Sequence, residues 1–251
     1  MIDDGSLQEE AWIEKIRSHG IQAGYYRKAV KGITRSRNLG ATRAAGDVFL
    51  FLDDDVTLDR DYVSEILKVY ENDAAKQIGG VEGIIQNGRI PHFKKAFLCL
   101  FRLDSTHQGK VLSSGGVSLV TDIREPVSVE WLSGCGMSYR REVFQEFSFD
   151  ERFAGNGWGD DRDFSYRVGR KYRLTAAPRA VLCHHQDPSG RDVPLEFGRQ
   201  EMQHFRLFFE KNLPKTPKTT LAHGWALCGI VLKNVVTGRW IQVLGNLQGL
   251  K

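Results

Sequence analysis

Val48-Phe49-Leu50-Phe51-Leu52-Asp53-Asp54-Asp55 is the stretch on which the reading of this chain turns. Five successive apolar residues, too few for a helix and rich in β-formers, predict a buried strand over 48–52. An open α/β sheet binds its ligands beyond the carboxyl ends of its strands, and three aspartates stand there. Neighbouring carboxylates repel by about 1 kcal/mol at 4 Å even in water, so a run this dense calls for a cation. Hard oxygen donors at a strand end suit Mg2+ or Mn2+, which keep a few protein carboxylates and take their other ligands from phosphates and water. The plainer reading of an aspartate run is a solvated turn; the buried strand ahead of it favours binding.

Working outward, residues 35–45 read as a helix with Gly46 placed as its C-terminal cap. Val63, Ile66, Leu67 and Tyr70 follow the i, i+3, i+4, i+7 rule and predict an amphipathic helix over 59–72. The glycine-rich apolar run 79–86 reads as a strand, as do 127–131 and 137–139, with one or two helical turns over 141–147. Residues 87–125 mix basic and polar residues with the apolar patch 97–101 and yield no assignment. Gly155-Asn156-Gly157-Trp158-Gly159 is a loop that delivers Asp160 and Asp161 to the start of a helix ending near Lys171, a position the helix dipole also favours for acids. Short strands follow at 174–177 and 180–183, just before His184 and His185. At the other end, 1–6 reads as the tail of a strand entering a turn, and 7–19 as a helix. Strands alternating with helices predict an α/β fold.

Composition narrows the class. The chain has 251 residues, 41% hydrophobic and 26% charged, a soluble globular balance with length for one α/β domain with a tail or two small domains. Its net charge of +4 is uneven: from Arg199 onward eight basic residues face two acidic ones, leaving a slightly acidic body. A basic C-terminal end suits an anionic membrane surface or an acidic partner. It comes with no RNP-type aromatic motif or zinc spacing, so nucleic acid is not an expected partner. Cys99, Cys135, Cys183 and Cys228 are scattered, which fits a reduced, cytoplasmic setting. The start at Met1 lacks the basic end and apolar core of a signal peptide, and no apolar run reaches the roughly 18 residues of a spanning helix.

The segment Thr34-Arg35-Ser36-Arg37-Asn38-Leu39-Gly40, then Ala45-Gly46-Asp47 and Phe51-Leu52-Asp53-Asp54-Asp55, resembles the family 2 glycosyltransferases, in which an A-R-N-x-G helix leads to a strand ending in D-x-D. A second block agrees: Ser133-Gly134-Cys135-Gly136-Met137, Phe149-Asp150-Glu151-Arg152-Phe153, and Gly159-Asp160-Asp161-Arg162-Asp163-Phe164. The second block looks like the family's acceptor half, which runs from F-D-E-x-F to an E-D-x-D helix. The resemblance covers roughly residues 1–190 and implies a GT-A type fold, a Rossmann-like mixed sheet flanked by helices; residues 191–251 read by themselves as a helical C-terminal extension suited to membrane association. It implies an inverting, metal-dependent transfer of a sugar from a nucleotide-sugar donor to a hydroxyl of a glycan or lipid-linked acceptor. By resemblance, Asp53, Asp54, Arg37, Asp3 and Asp4 (the last two in a D-D-G-S turn) contact the nucleotide sugar, Asp55 and His184 hold Mg2+ or Mn2+, and Asp161 is the general base. Trp158 and Asp160 are expected on the acceptor side, although the family usually has Glu at the latter position. No Q-x-x-R-W motif of processive synthases is present, so a single transfer is implied.

The family begins with a further strand and helix ahead of the D-D-G-S strand, so Met1 is expected to be a misassigned start or the chain a truncated product. Two other readings compete: a non-catalytic binding remnant, and a nucleotidyltransferase acting on a sugar phosphate. In the C-terminal part, the short apolar run 221–232, followed by Lys233, Arg239, Trp240 and Lys251, reads either as an interfacial helix or as a helix docked on the catalytic domain. The interfacial reading puts a peripheral contact on the cytoplasmic membrane face.

Overall fold

The computed structural model describes residues 1–3, 10–155, 157–186 and 193–251. Its centre is a six-stranded mixed sheet in the order β3(Val48–Leu50), β7(Met137–Arg140), β5(Ile78–Ile85), β8(Arg173–His184), β4(Val56–Leu58), with β6(Val127–Val129) also paired to β8. The β7 strand runs antiparallel to both β3 and β5, and β8 runs parallel to β5. Strands β3, β5 and β8 therefore end at the same edge of the sheet. The strand expected over 48–52 pairs only as far as Leu50, although the Phe51 amide still donates to the Met137 carbonyl at 2.9 Å.

A helix covers each face. On one side α3(Tyr62–Glu71) buries Tyr62, Ile66 and Tyr70 against Val81 and Leu182. On the other α5(Asp160–Gly169) buries Phe164 and Val168 against Leu132, Tyr139 and Phe149. The Tyr62 hydroxyl donates to the Gly136 carbonyl at 2.7 Å, and a Cβ at Gly136 would stand 2.6 Å from that oxygen. Only glycine lets β7 begin so close to α3.

Several sequence expectations change in detail. The two strands expected at 174–177 and 180–183 are one, β8. Its pairing with β5 is irregular between Ala176 and Val181, and its partners β6 and β4 take residues 174–176 and 182–184. Pro178 falls between those paired stretches, where its missing N–H costs no ladder bond. Gly46 is not the cap of α2(Ile33–Arg43); Ala44, in extended backbone, donates to the Gly40 carbonyl instead. A helix, α4(His92–Leu100), occupies part of the unassigned 87–125 region. The ribbon of β1(Ile2–Asp3) and β2(Tyr26–Arg27) stands apart from the main sheet, with α1(Glu10–Ser18) between its strands.

The C-terminal part is three helices, α6(Pro194–Asn212), α7(Pro217–Val236) and α8(Trp240–Gly249). The α6 helix docks on α5: Lys211 pairs with Asp163 at 2.9 Å and Asp150 at 2.6 Å, and Asn212 donates to Asp163 at 2.8 Å. Asp163 is fully buried, so its paired state matters: breaking a buried ion pair costs about 3–5 kcal/mol. Among the described residues no helix is long and apolar enough to cross a membrane.

Candidate active site

At the sheet edge where β3, β5 and β8 end, the chain brings together most of the residues singled out by sequence. Asp54 and Asp55 form the turn into β4, whose register with β8 sets Val56 opposite His184. This pairing brings His184 Nε2 to 3.1 Å from Asp55 Oδ1. Asp53, Asp55 and His184 each offer a ligand atom, all within 4.8 Å of one another. Two carboxylate oxygens and an imidazole nitrogen are a donor set that Mn2+ or Mg2+ accepts, with sites left for phosphate and water. The residues present fit the ion. Asp54 is exposed beside them and outside the cluster. His185 braces the turn: its amide donates to the Asp55 carbonyl at 2.9 Å, and its Nε2 shares a hydrogen bond with the Thr57 hydroxyl at 2.8 Å.

Facing this cluster across a cleft of about 290 Å3 is the start of α5, and Asp53, His184, Asp160 and Asp161 all line that cleft. Gly159, at φ 84°, turns the chain into the helix in the left-handed region open to glycine. Asp161 is half-buried, and its Oδ2 accepts the Gly134 amide at 2.9 Å. A Cβ on Gly134 would lie 3.2 Å from that oxygen and 2.8 Å from Arg37 Nη2, so the glycine lets all three groups meet.

Arg37 crosses the cleft floor. Its Nη1 donates to both oxygens of Asp160, at 2.8 and 2.7 Å, while Nη2 reaches Gly134 O at 3.3 Å and Asp53 Oδ1 at 3.5 Å. Burial pulls the Arg37 pKa down, but Asp160, Asp53 and Asp161 outweigh it and the pKa ends raised. Burial pushes the Asp160 carboxyl up to about 6 against the opposing pull of Arg37. Burial likewise raises Asp53, with Arg37 and His184 opposing. Asp160, expected at the acceptor, thus spends its carboxylate on Arg37 and is only 4% exposed.

Trp158 lines the cleft and packs beside Phe205 of α6, its carbonyl accepting from His204 Nδ1 at 3.1 Å. Asp3 lies in the β1–β2 ribbon, where Tyr25 donates to it at 2.5 Å, and it is not among the described residues lining the cleft. Asp4 and the rest of the D-D-G-S turn fall outside the described residues, as does Asn156. Asn38 of the A-R-N-x-G helix is a clamp: its side chain exchanges two hydrogen bonds with the Phe149 backbone, tying α2 to the F-D-E segment.

Two buried residues escaped the sequence reading: Arg162, which lines the cleft, and Glu82, which lies behind the cleft-lining Ser133. Arg162 is 3% exposed, and its guanidinium sits 4.5 Å from the Phe208 ring centroid and 5.0 Å from that of Trp158. It donates to the Gly115 carbonyl at 2.7 Å, and burial lowers its pKa to about 10. In sequence it stands between Asp161 and Asp163, with nothing local to signal the α6 rings that enclose it. Glu82, in the middle of β5, accepts the Ser133 amide at 2.7 Å, and burial pushes its carboxyl up to about 8. The signal was available: one charge inside the apolar run of β5. A larger cleft of about 520 Å3, lined by Lys68, Asp73, Arg173 and Arg179 among others, lies between α3, β6 and β8 and contains none of the expected site residues.

The sequence model of the glycosyl transferase family 2 matches residues 1–147, more than half of the chain. The chain belongs to that family. No curated protein matches it by sequence. Among solved structures, this family 2 member is similar to GalNAc-T7 with UDP, GalNAc and Mn2+ (17% identity, TM-score 0.58), covering 94% of this chain and half of that one. It is also similar to the mannosyltransferase PcManGT from Pyrobaculum calidifontis with GDP-Man and Mn2+ (14% identity, TM-score 0.57; 99% and 76% covered). A third likeness is to S. aureus TarS 1-349 (14% identity, TM-score 0.55; 98% and 68% covered). At these identities the likeness is one of fold, and the fold is the GT-A arrangement that the sequence motifs implied.

Proposed function

We propose that the chain transfers a sugar from a nucleotide-sugar donor to a hydroxyl of a glycan or lipid-linked acceptor, with inversion, using Mn2+ or Mg2+. The observation that carries this reading is one cleft lined on one wall by Asp53 and His184, in reach of Asp55, and on the other by Asp161. Nucleotide-sugar donors and Mn2+ in the similar structures support the donor class. Asp53, Asp55 and His184 would hold the ion, which when bound supplies positive charge to the departing diphosphate. Asp161, held by the Gly134 amide, takes the proton of the acceptor hydroxyl as that oxygen attacks the sugar carbon, a contribution of roughly 10²–10⁴-fold. Attack from the face opposite the leaving group requires only one base, which agrees with the pairing of Asp160 to Arg37. Arg37 and Asp160 fix the helix start, so they are positioning residues. Trp158 offers a ring face to the acceptor, and Asp54 stands at the donor rim. The four free cysteines support a cytoplasmic site of action, with the acceptor presented at the membrane face.

The test is nucleoside diphosphate release from a panel of nucleotide sugars with Mn2+, with the product's anomeric configuration read by NMR. Turnover that Asp55→Ala and Asp161→Asn each abolish, with an inverted product, is the expected result. Pyrophosphate release from a nucleoside triphosphate would instead mean a nucleotidyltransferase. Glycan binding without turnover would mean a non-catalytic relative.

A further inference from the structure

Helices α7 and α8 are packed inside out. On α7 the inward positions include Thr219, His223, Ala226, Ile230 and Asn234, while Leu221, Leu232 and Val236 face outward; Trp225, half-exposed, stacks on Phe101 and donates to the Leu100 carbonyl at 2.8 Å. On α8 the inward face is Val243, Gly245, Asn246 and Gly249, and the outward face is Trp240, Ile241, Leu244 and Leu247. Leu221 is 75% exposed, Val236 72% and Trp240 61%. The short turn Thr237–Arg239 joins the two helices. Isolated exposed apolar side chains are ordinary, but a contiguous stripe on two successive helices marks an interaction surface.

The bundle does not need these side chains to hold together. Asn234 donates to Asn246 at 2.8 Å, Asn246 donates to the Gly198 carbonyl at 2.8 Å, and Lys233 pairs with Glu201 at 2.6 Å. A Cβ on Gly245 or Gly249 would collide with the α6 backbone at 2.1 or 2.5 Å, so α8 lies directly on α6 through its glycine face. These polar groups, the glycines and a small apolar seam of Ala226 and Ile230 on Met202 and Phe205 make the internal contacts, which leaves the outward Leu and Ile side chains and Trp240 for another phase.

Charge identifies that phase. From Lys211 to Lys251 there are six basic residues and no acidic one. Lys211 and Lys233 are used in internal pairs, whereas Lys215, Lys218, Arg239 and Lys251 are exposed and carry no ion pair among the described residues. A protein partner or a second copy would be matched by mixed charges, and a segment whose charges from residue 211 onward are all basic instead complements an anionic bilayer. Neither helix spans, so both would lie in the interface plane. We infer that the outward face of α7 and α8 docks the chain peripherally on an anionic phospholipid surface. This deepens the membrane-face reading above and stands on observations separate from the cleft.

The test is flotation of the full chain with phosphatidylcholine vesicles, with and without phosphatidylglycerol, in the absence of donor and acceptor. The chain should float with the anionic vesicles only and be partly released by salt. The double substitution Leu244→Glu/Leu247→Glu should lower partition by about tenfold or more while keeping the parent's circular dichroism. Arg239→Glu/Lys251→Glu, which leaves the apolar stripe intact, should lower it as well. Equal partition of parent and variants, or no flotation at all, overturns the inference. So does a concentration-dependent dimer that the leucine substitutions dissolve, which would make this face an interface between copies. Because no substrate is present, failure here leaves the transfer reaction untouched, and loss of transfer leaves flotation untouched.

Discussion

The cleft and the outer face of α7 and α8 break the same packing rule in opposite directions. In the cleft, Arg37 and Asp160 are taken out of water with Glu82 and Arg162 close by; on the helices, Leu221, Val236 and Trp240 are left in it. Burying charge costs several kcal/mol per ion unless each is paired, and exposing large apolar groups forfeits roughly 1.5–3 kcal/mol each. A chain that does both keeps each arrangement for something other than folding. In the proposed reaction the cleft holds charge where charge develops during transfer, and in the proposed docking the helix face offers its apolar side chains to a bilayer.

The sharpest way to break the comparison is at the base. Asp161→Asn should lower turnover by roughly 10²–10⁴-fold with little change in donor KM, read by diphosphate release. An unchanged rate would reduce the cleft to packing. Next, Arg37→Ala strands the Asp160 carboxylate in a buried site and should cost about 3–5 kcal/mol of stability in denaturant unfolding. Adding Asp160→Ala should recover part of that loss, because the orphaned charge is removed with its partner.

Glu82 gives a pH test. Burial holds its pKa at about 8 in the folded chain against an ordinary 4.5, so its contribution to stability is full below about 4.5 and is lost as pH rises through about 8. Replacing it by Gln should flatten that decline, making Glu82→Gln relatively more stable than the parent at roughly pH 9 than at roughly pH 5 in thermal melts. Parallel melting curves would show that Glu82 keeps its charge in the fold. The smallest effect belongs to the other region: Leu244→Gln should change stability by less than about 0.5 kcal/mol, since the Leu244 side chain is exposed. A loss like that of a core leucine would mean the face is internal after all.

What could be read without coordinates followed from local pattern. The apolar run into Asp53 and the acidic start of α5 announce themselves, because a strand's end and a helix's first turn are local signals. Membership in family 2 was legible in the order of those motifs. The fully buried Asp163 with Lys211, and Arg162 among Phe205, Phe208 and Trp158, were not, since each depends on α6 arriving from 40 or more residues away. The strands β2 and β4, of two and three residues, exist only through their partners. In the C-terminal run 221–232 the apolar content was visible but its direction was not. Only the packing on Phe101, Met202 and Phe205 shows that Ala226, Gly229 and Ile230 turn in, that Trp225 lies against Phe101, and that Leu221 turns out.

The central claim is that the aspartate turn and His184 hold a divalent ion across the cleft from an independent base. Electron paramagnetic resonance of Mn2+ titrated into the chain with a nucleoside diphosphate tests it most directly. Asp55→Ala should lose the bound-ion signal while Asp161→Asn keeps it; equal binding by the parent and Asp55→Ala would contradict the claim.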